Sequence, residues 1–181
     1  SVPVLAVLMA YSLTKRFTSL AHFWLGLSLL LAPVSAWIAI RGLELLEYPA
    51  DLLPAVILGS AVLLWVAGFD IIYACQDEAF DRNANLHSIP VRLGVRGALR
   101  LAAVCHLGMG IALLGLPFVC PQVGLDELYV VGVIAVCLLL VYEHRMVRPD
   151  DLTRVNIAFF NINSIISMGL FLLGTIDLLW W

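Results

Sequence analysis

The chain has 181 residues, 62% of them hydrophobic and only 13% charged, with a formal net charge of −3. A soluble globular domain carries about 25% charge, so the long apolar runs point to a polytopic membrane protein. No basic stripe is present, which argues against a nucleic-acid partner.

The first apolar run covers about residues 2–13 and stops at Lys15 and Arg16. It is short for a span of about 20 residues, and it lacks the charged start of a signal peptide. The expectation is a chain that begins inside a helix. A second run covers about residues 20–40, with Gly26, Ala32, Ser35, Ala36 and Ala39 available for close packing and Pro33 as a possible kink. A polar loop over 41–51 precedes the third run, about 52–72. Asn83, Asn85 and Pro90 break the helix after Asp81, and residues 94–100 lead into a fourth run over about 101–119. The fifth covers about 128–142, followed by the charged loop EHRMVRPDDLTR, in which Asp150 or Asp151 is a candidate helix cap. The sixth starts near Val155 and reaches 173 or 179; Trp180 and Trp181 read as an interface belt. Residues 1–181 thus read as a single membrane domain with an all-α fold, a transmembrane helical bundle.

Charge orients the bundle. Lys15 and Arg16 lie in loop one, Arg82, Arg92, Arg96 and Arg100 in loop three, and Arg145, Arg148 and Arg154 in loop five. Loop two holds only Arg41 and loop four holds no Lys or Arg. Loops one, three and five are therefore expected on the cytoplasmic side of a cell inner membrane.

Within this frame one stretch stands out, DIIYACQDEAFDRNANLHSIP, residues 70–90. Asp70, Asp77 and Asp81 stand at i, i+7 and i+11, which on one continuous helix puts three carboxylates on one face over roughly 16 Å. Such a row repels itself unless cations sit between its members, and paired hard oxygens suit Mg²⁺. A site of only Asp77 and Asp81 is weak and needs further ligands, which a diphosphate would supply. Lys15 could neutralise an anionic ligand as a point charge, and Arg16 or Arg82 as a fork. The plain alternative is a set of solvated loop charges, with Asp77 and Asp81 paired to Arg82 or Arg92. Asp70 weighs against it, because an acid at the end of a span is expensive.

The remaining polar residues read plainly. The four cysteines, Cys75, Cys105, Cys120 and Cys137, show no metal or redox spacing and read as small buried hydrophobes. His22, His106 and His144 show no ligand spacing and read as interface or packing residues. Asn163 and its neighbours suggest interhelical hydrogen bonds, and Asp177 an interfacial position.

The motif YACQDEAFDRNANLHSIPVRLG, with Tyr73, Ala74, Asp77 and Asp81, resembles the second aspartate motif of the UbiA-type membrane prenyltransferases. Upstream, YSLTKRFT resembles that family's YxxxKR element, here Tyr11, Lys15 and Arg16, at the matching separation of two spans. The resemblance implies Mg²⁺-dependent transfer of a polyprenyl group from its diphosphate to an aromatic acid acceptor, with the site towards the cytoplasm. It implies that Asp77 and Asp81 carry the metal, that Lys15 contacts the diphosphate with Tyr11, Arg16 and Arg82 nearby, and that Asp70 supports the site. The family's first aspartate motif and about three of its roughly nine spans have no counterpart among the six runs; a chain consisting of these residues alone is expected to be inactive. His87 stands where ubiquinone-pathway members commonly show Lys, so the acceptor stays open between 4-hydroxybenzoate-like and menaquinone-pathway naphthoate compounds. A transporter or channel subunit using Asp70 in an ion path is the competing reading, and a scaffold without a site is the third.

Overall fold

The computed structural model describes the backbone of residues 2–180 and the side chains of these residues except 2–4, 8, 11, 12 and 180. Tyr11, as a side chain, and the Trp180 and Trp181 belt lie outside the described residues. Among the described residues the secondary structure is helical, with one isolated bridge between Arg148 and Asp151.

Five helical segments are long and apolar enough to cross a membrane: Ala21–Arg41, Pro49–Asn83, Ile89–Val119, Glu127–Met146 and Val155–Leu179. A shorter helix, α1 (Val2–Thr14), precedes them. Helix α2 (Ala21–Arg41) continues through Pro33. It buries only Ala21, His22, Gly26 and Ser28, and the small residues among these let backbones approach closely in lipid. A Cβ on Gly26 would lie 2.4 Å from the carbonyl oxygen of Leu63, so this crossing needs glycine. The polar loop over 42–52 folds into a short α3 (Glu44–Glu47) and a 3₁₀ turn (Pro49–Leu52), with Arg41 held by Asp51 at 2.7 Å and Glu44 at 3.0 Å.

Helix α4 (Leu53–Ala74) returns along α2. It does not run on to Asp81 as one helix. Cys75–Asp77 tighten into a 3₁₀ turn before α5 (Glu78–Asn83). Three residues at about 120° instead of about 100° each rotate α5 roughly 60° further round, so the expected single row of Asp70, Asp77 and Asp81 is broken. Asn85, at φ 53°, closes α5. Ser88 then caps α6 (Ile89–Val119) by accepting from the Val91 N–H at 3.4 Å, with Pro90 in the first turn. Helix α6 starts 12 residues before the apolar run and bends at Gly94, where φ 71° suits only glycine.

Helix α7 (Glu127–Met146) extends beyond Tyr142, so Glu143 and His144 belong to its last turn rather than to a loop. Neither Asp150 nor Asp151 caps the next helix, whose N-cap is Arg154. Asp151 instead accepts from the Thr153 backbone N–H at 3.0 Å and its hydroxyl at 2.6 Å, bonds that hold its carboxyl below the ordinary carboxylate range. The last segment comprises α8 (Val155–Ile157), a π turn (Ala158–Ile162) and α9 (Asn163–Trp180).

Two apolar cores stack along the bundle. One joins Ala61, Met109, Leu113, Val133, Val136, Leu140 and Ile166 from α4, α6, α7 and α9. The other joins Ile71, Ile72, Ile89, Ala98, Val147 and Val155 at the end where loops one, three and five meet. Outward positions such as Leu107, Ile111, Leu138 and Phe171 stay exposed and apolar, as a lipid-facing surface requires.

Candidate functional site

The site is built where α1 ends, α2 begins, α4 and α5 meet, and α6 begins. A backbone bond fixes this junction: the His87 N–H donates to the Lys15 carbonyl at 2.8 Å. Arg92 Nη1 adds a 3.4 Å bond to Ser19 Oγ. Loops one and three are thereby tied together at one end of the bundle, as the charge alternation requires.

Asp81 is 2% exposed, and its Oδ2 lies 3.5 Å from Lys15 Nζ. The pair is lopsided. The Lys15 side chain keeps 33% of its surface while that of Asp81 keeps 3%, so a cation reaches in from the mouth to a carboxylate the fold has taken from water. At 3.5 Å the contact is long for a charge-assisted hydrogen bond, which prefers about 2.8 Å. Asp77 is half-buried and has no ion-pair or hydrogen-bond partner among the described residues. Asp77 thus offers a carboxylate without a partner among the described residues, while Asp81 is engaged by Lys15.

Asp70 is not a third member of a row. Its Oδ2 lies 2.7 Å from Nδ1 of His22, a fully buried residue in the first turn of α2. The Ile89 N–H points at His22 Nε2 from 3.5 Å. Since an N–H donates to Nε2, the proton of the neutral ring sits on Nδ1 and is donated to Asp70. His22 thus links α2, α4 and the start of α6, and it fixes the orientation of the Asp70 carboxylate. Reading His22 as a packing residue missed this; the signal was its place in the first turn after loop one, level with the end of α4 where Asp70 sits.

The expected partners of the aspartates are otherwise engaged. Arg82 turns to Glu78, through Nε at 3.0 Å and through Nη2, and reaches the Val91 carbonyl at 3.4 Å. It is exposed, as is Arg16, whose side chain has no partner among the described residues. Neither Arg82 nor Arg92 pairs with Asp77 or Asp81. A recess of about 410 Å³ opens beside the junction, where Phe17 and Val91 join Thr18, Ser19, His87, Ser88 and Arg92.

Further polar residues lie within the spans. Asp177 is fully buried and accepts the N–H groups of Asp126 at 2.8 Å and Tyr129 at 3.1 Å. It caps α7 from the neighbouring α9, at the end opposite Lys15, rather than sitting at a wet interface. Asn163 accepts from Trp65 Nε1 at 3.0 Å, the interhelical bond expected of it. His106, Glu143 and His144 converge between α6 and α7, which their sequence separation did not reveal.

Known proteins share this architecture. The model of the UbiA prenyltransferase family matches residues 1–165. A 4-hydroxybenzoate octaprenyltransferase of Nitrosospira multiformis is 28% identical over 156 residues, 85% of this chain and 49% of that protein. A polyprenyl transferase of Arthrinium sp is 34% identical over 93 residues, 51% of this chain and 28% of its own length. The chain thus spans about half or less of these curated relatives. Among solved structures, the apo form of a UbiA homolog from Aeropyrum pernix K1 superposes with a TM-score of 0.82 at 30% identity, covering 98% of this chain and 62% of the other. With the matched residues running through both the Lys15 loop and the Asp77–Asp81 turn, this multi-pass membrane chain belongs to the UbiA prenyltransferase family.

Proposed function

We propose that this chain supplies the diphosphate-binding end of an enzyme that transfers a polyprenyl group from its diphosphate to an aromatic acid. The observation that carries the reading is the Lys15–Asp81 pair, with Asp77 beside it in sequence and unpartnered among the described residues, at one mouth of an apolar helical bundle. The 4-hydroxybenzoate octaprenyltransferases among the relatives favour a 4-hydroxybenzoate-like acceptor; a naphthoate acceptor is the second choice, with His87 the residue that leaves it open.

The donor set fits Mg²⁺: two carboxylates, one without a partner among the described residues and one only loosely compensated by a cation at 3.5 Å. Asp77 and Asp81 would hold the ion, which when bound neutralises charge building on the leaving diphosphate. Lys15 has a second task. At rest it compensates buried Asp81; a diphosphate at the mouth offers its ammonium a stronger anion, and its departure frees Asp81. Arg16, exposed beside it, and Arg82, if drawn from Glu78, add positive charge where negative charge develops. Asp70, oriented by His22, would support the site. Its commitment to His22 argues against a role in an ion path. Of the 10 lysines and arginines, all but Arg41 lie in or beside the loops at this end, so we place it towards the cytoplasm of a cell inner membrane.

The test is prenyl transfer by the full-length protein carrying Asp77→Asn and Asp81→Asn. The expected loss is at least about 10²-fold at saturating Mg²⁺. Unchanged turnover in a folded double variant would refute the reading.

A further inference from the structure

Glu143 is an anomaly for a residue in a lipid-spanning helix. It is 0% exposed, and neither carboxylate oxygen has a hydrogen-bond partner among the described residues. No lysine or arginine pairs with it among those residues. What faces it is imidazole. His106, 3% exposed on α6, has Nδ1 3.5 Å from Glu143 Oε2 and 3.0 Å from His144 Nε2. One ligand atom from each of the three residues falls within a 4.8 Å cluster.

A buried carboxylate without donors must be protonated or must hold a cation. The composition of the cluster favours the cation. Two imidazole nitrogens and one carboxylate form a three-ligand set suited to a divalent transition ion, and not to Mg²⁺, which takes oxygens. The spacing agrees as well. Tetrahedral bonds of about 2.1 Å put neighbouring ligand atoms about 3.4 Å apart; the two edges that meet at His106 Nδ1 are 3.0 and 3.5 Å, and the third lies within 4.8 Å. Gly68 of α4 makes room for the His106 ring: a Cβ there would sit 2.3 Å from Nε2. The other ring nitrogen of His106, Nε2, is buried without a hydrogen-bond partner among the described residues. An apolar groove of about 250 Å³ between α6 and α7, bordered by Leu107, Gly110 and Val141, runs beside His106 and His144.

We propose that His106, Glu143 and His144 form a second metal site, on α6 and the last turn of α7 and distinct from the Asp77–Asp81 pair, which takes a divalent transition ion of the zinc type and pins α6 to α7. This site is independent of the prenyl-transfer reading, and its test does not use activity.

The experiment is a metal count on the full-length protein, purified without a polyhistidine tag, stripped with chelator and equilibrated with Zn²⁺ alone. About one zinc per chain is expected in the wild type and in Asp77→Asn/Asp81→Asn, with at least about tenfold less in His106→Ala and in Glu143→Gln. Glu143→Gln keeps shape and burial, so it guards against a folding artefact. Co²⁺ added to stripped protein gives a second readout, the visible absorption of a tetrahedral site, expected in the wild type and absent in Glu143→Gln. Wild-type protein that takes up no zinc, or Glu143→Gln that retains it, would overturn the proposal and leave a proton-sharing cluster of one acid and two imidazoles.

Discussion

A histidine with no exposed surface and an aspartate at the rim of a membrane bundle form the firmest polar contact of the site. The 2.7 Å bond between His22 Nδ1 and Asp70 ties the start of α2 to the end of α4. Replacing His22 with Phe keeps ring volume but leaves Asp70 without its donor. Prenyl transfer by the full-length protein should fall about tenfold, and stability by about 1–3 kcal/mol, the cost of stranding a half-buried polar group; His22→Asn, which retains a donor, should recover part of both. A steady-state assay and thermal unfolding check this. Lys15 differs in kind, because its cation acts at a mouth open to water. Lys15→Ala should weaken diphosphate binding and leave Asp81 buried without a counter-charge, whereas Lys15→Arg should bind in part. Such residue-scale roles were only partly legible. Motif spacing pointed to Lys15, Asp77 and Asp81. It was silent on His22, whose partner lies 48 positions away, and on Glu143, which reads as loop because the apolar run ends at Tyr142. Its register was nonetheless visible: Val133, Val136, Leu140 and Glu143 fall on one buried stripe of α7.

At the scale of elements, the apolar runs located the helices to within a few residues, because in lipid a spanning segment must satisfy its backbone internally and must therefore be a helix. The departures occur where polar chemistry competes with hydropathy. Helix α6 begins at Ile89 because Ser88 caps it and Pro90 starts it, well before the apolar run. The turn at Cys75–Asp77 separates Asp70 from the DxxxD pair, a change of three residues' hydrogen bonding that no periodicity records. Two substitutions test how the elements hold together. Gly26→Ala forces a methyl against the Leu63 carbonyl, which belongs to backbone and cannot yield. A loss of about 2 kcal/mol is expected, read as a lowered unfolding temperature in detergent. Asp177→Ala removes the carboxylate that accepts two N–H groups at the start of α7 and should cost about 2 kcal/mol. Asp177→Asn keeps an acceptor and should cost less.

The whole molecule is an up-and-down bundle whose odd loops gather at one end, with Lys15, Asp70, Asp77 and Asp81, and whose even loops gather at the other, with Asp177 capping α7. That odd loops share one end was readable in advance, since successive spans reverse direction; the alternation of Lys and Arg adds an expectation of which side that end faces. Depth was not readable. Spacing does not show that Asp81 is 2% exposed, with Lys15 reaching it from loop one. Accessibility of single cysteines introduced at Arg96 and Gln122 should divide by side, with the first labelled only from the cytoplasmic face and the second only from the opposite face. The central claim, that the lysine and the aspartates act on one bound diphosphate, is tested most directly by a double-mutant cycle. Binding of a non-reactive polyprenyl diphosphate analogue would be measured for full-length wild type, Lys15→Ala, Asp81→Asn and the double variant, each with and without Mg²⁺. Mg²⁺-dependent binding and non-additive losses are expected, with a coupling of at least about 1 kcal/mol. Strictly additive losses, or binding indifferent to Mg²⁺, would contradict the claim.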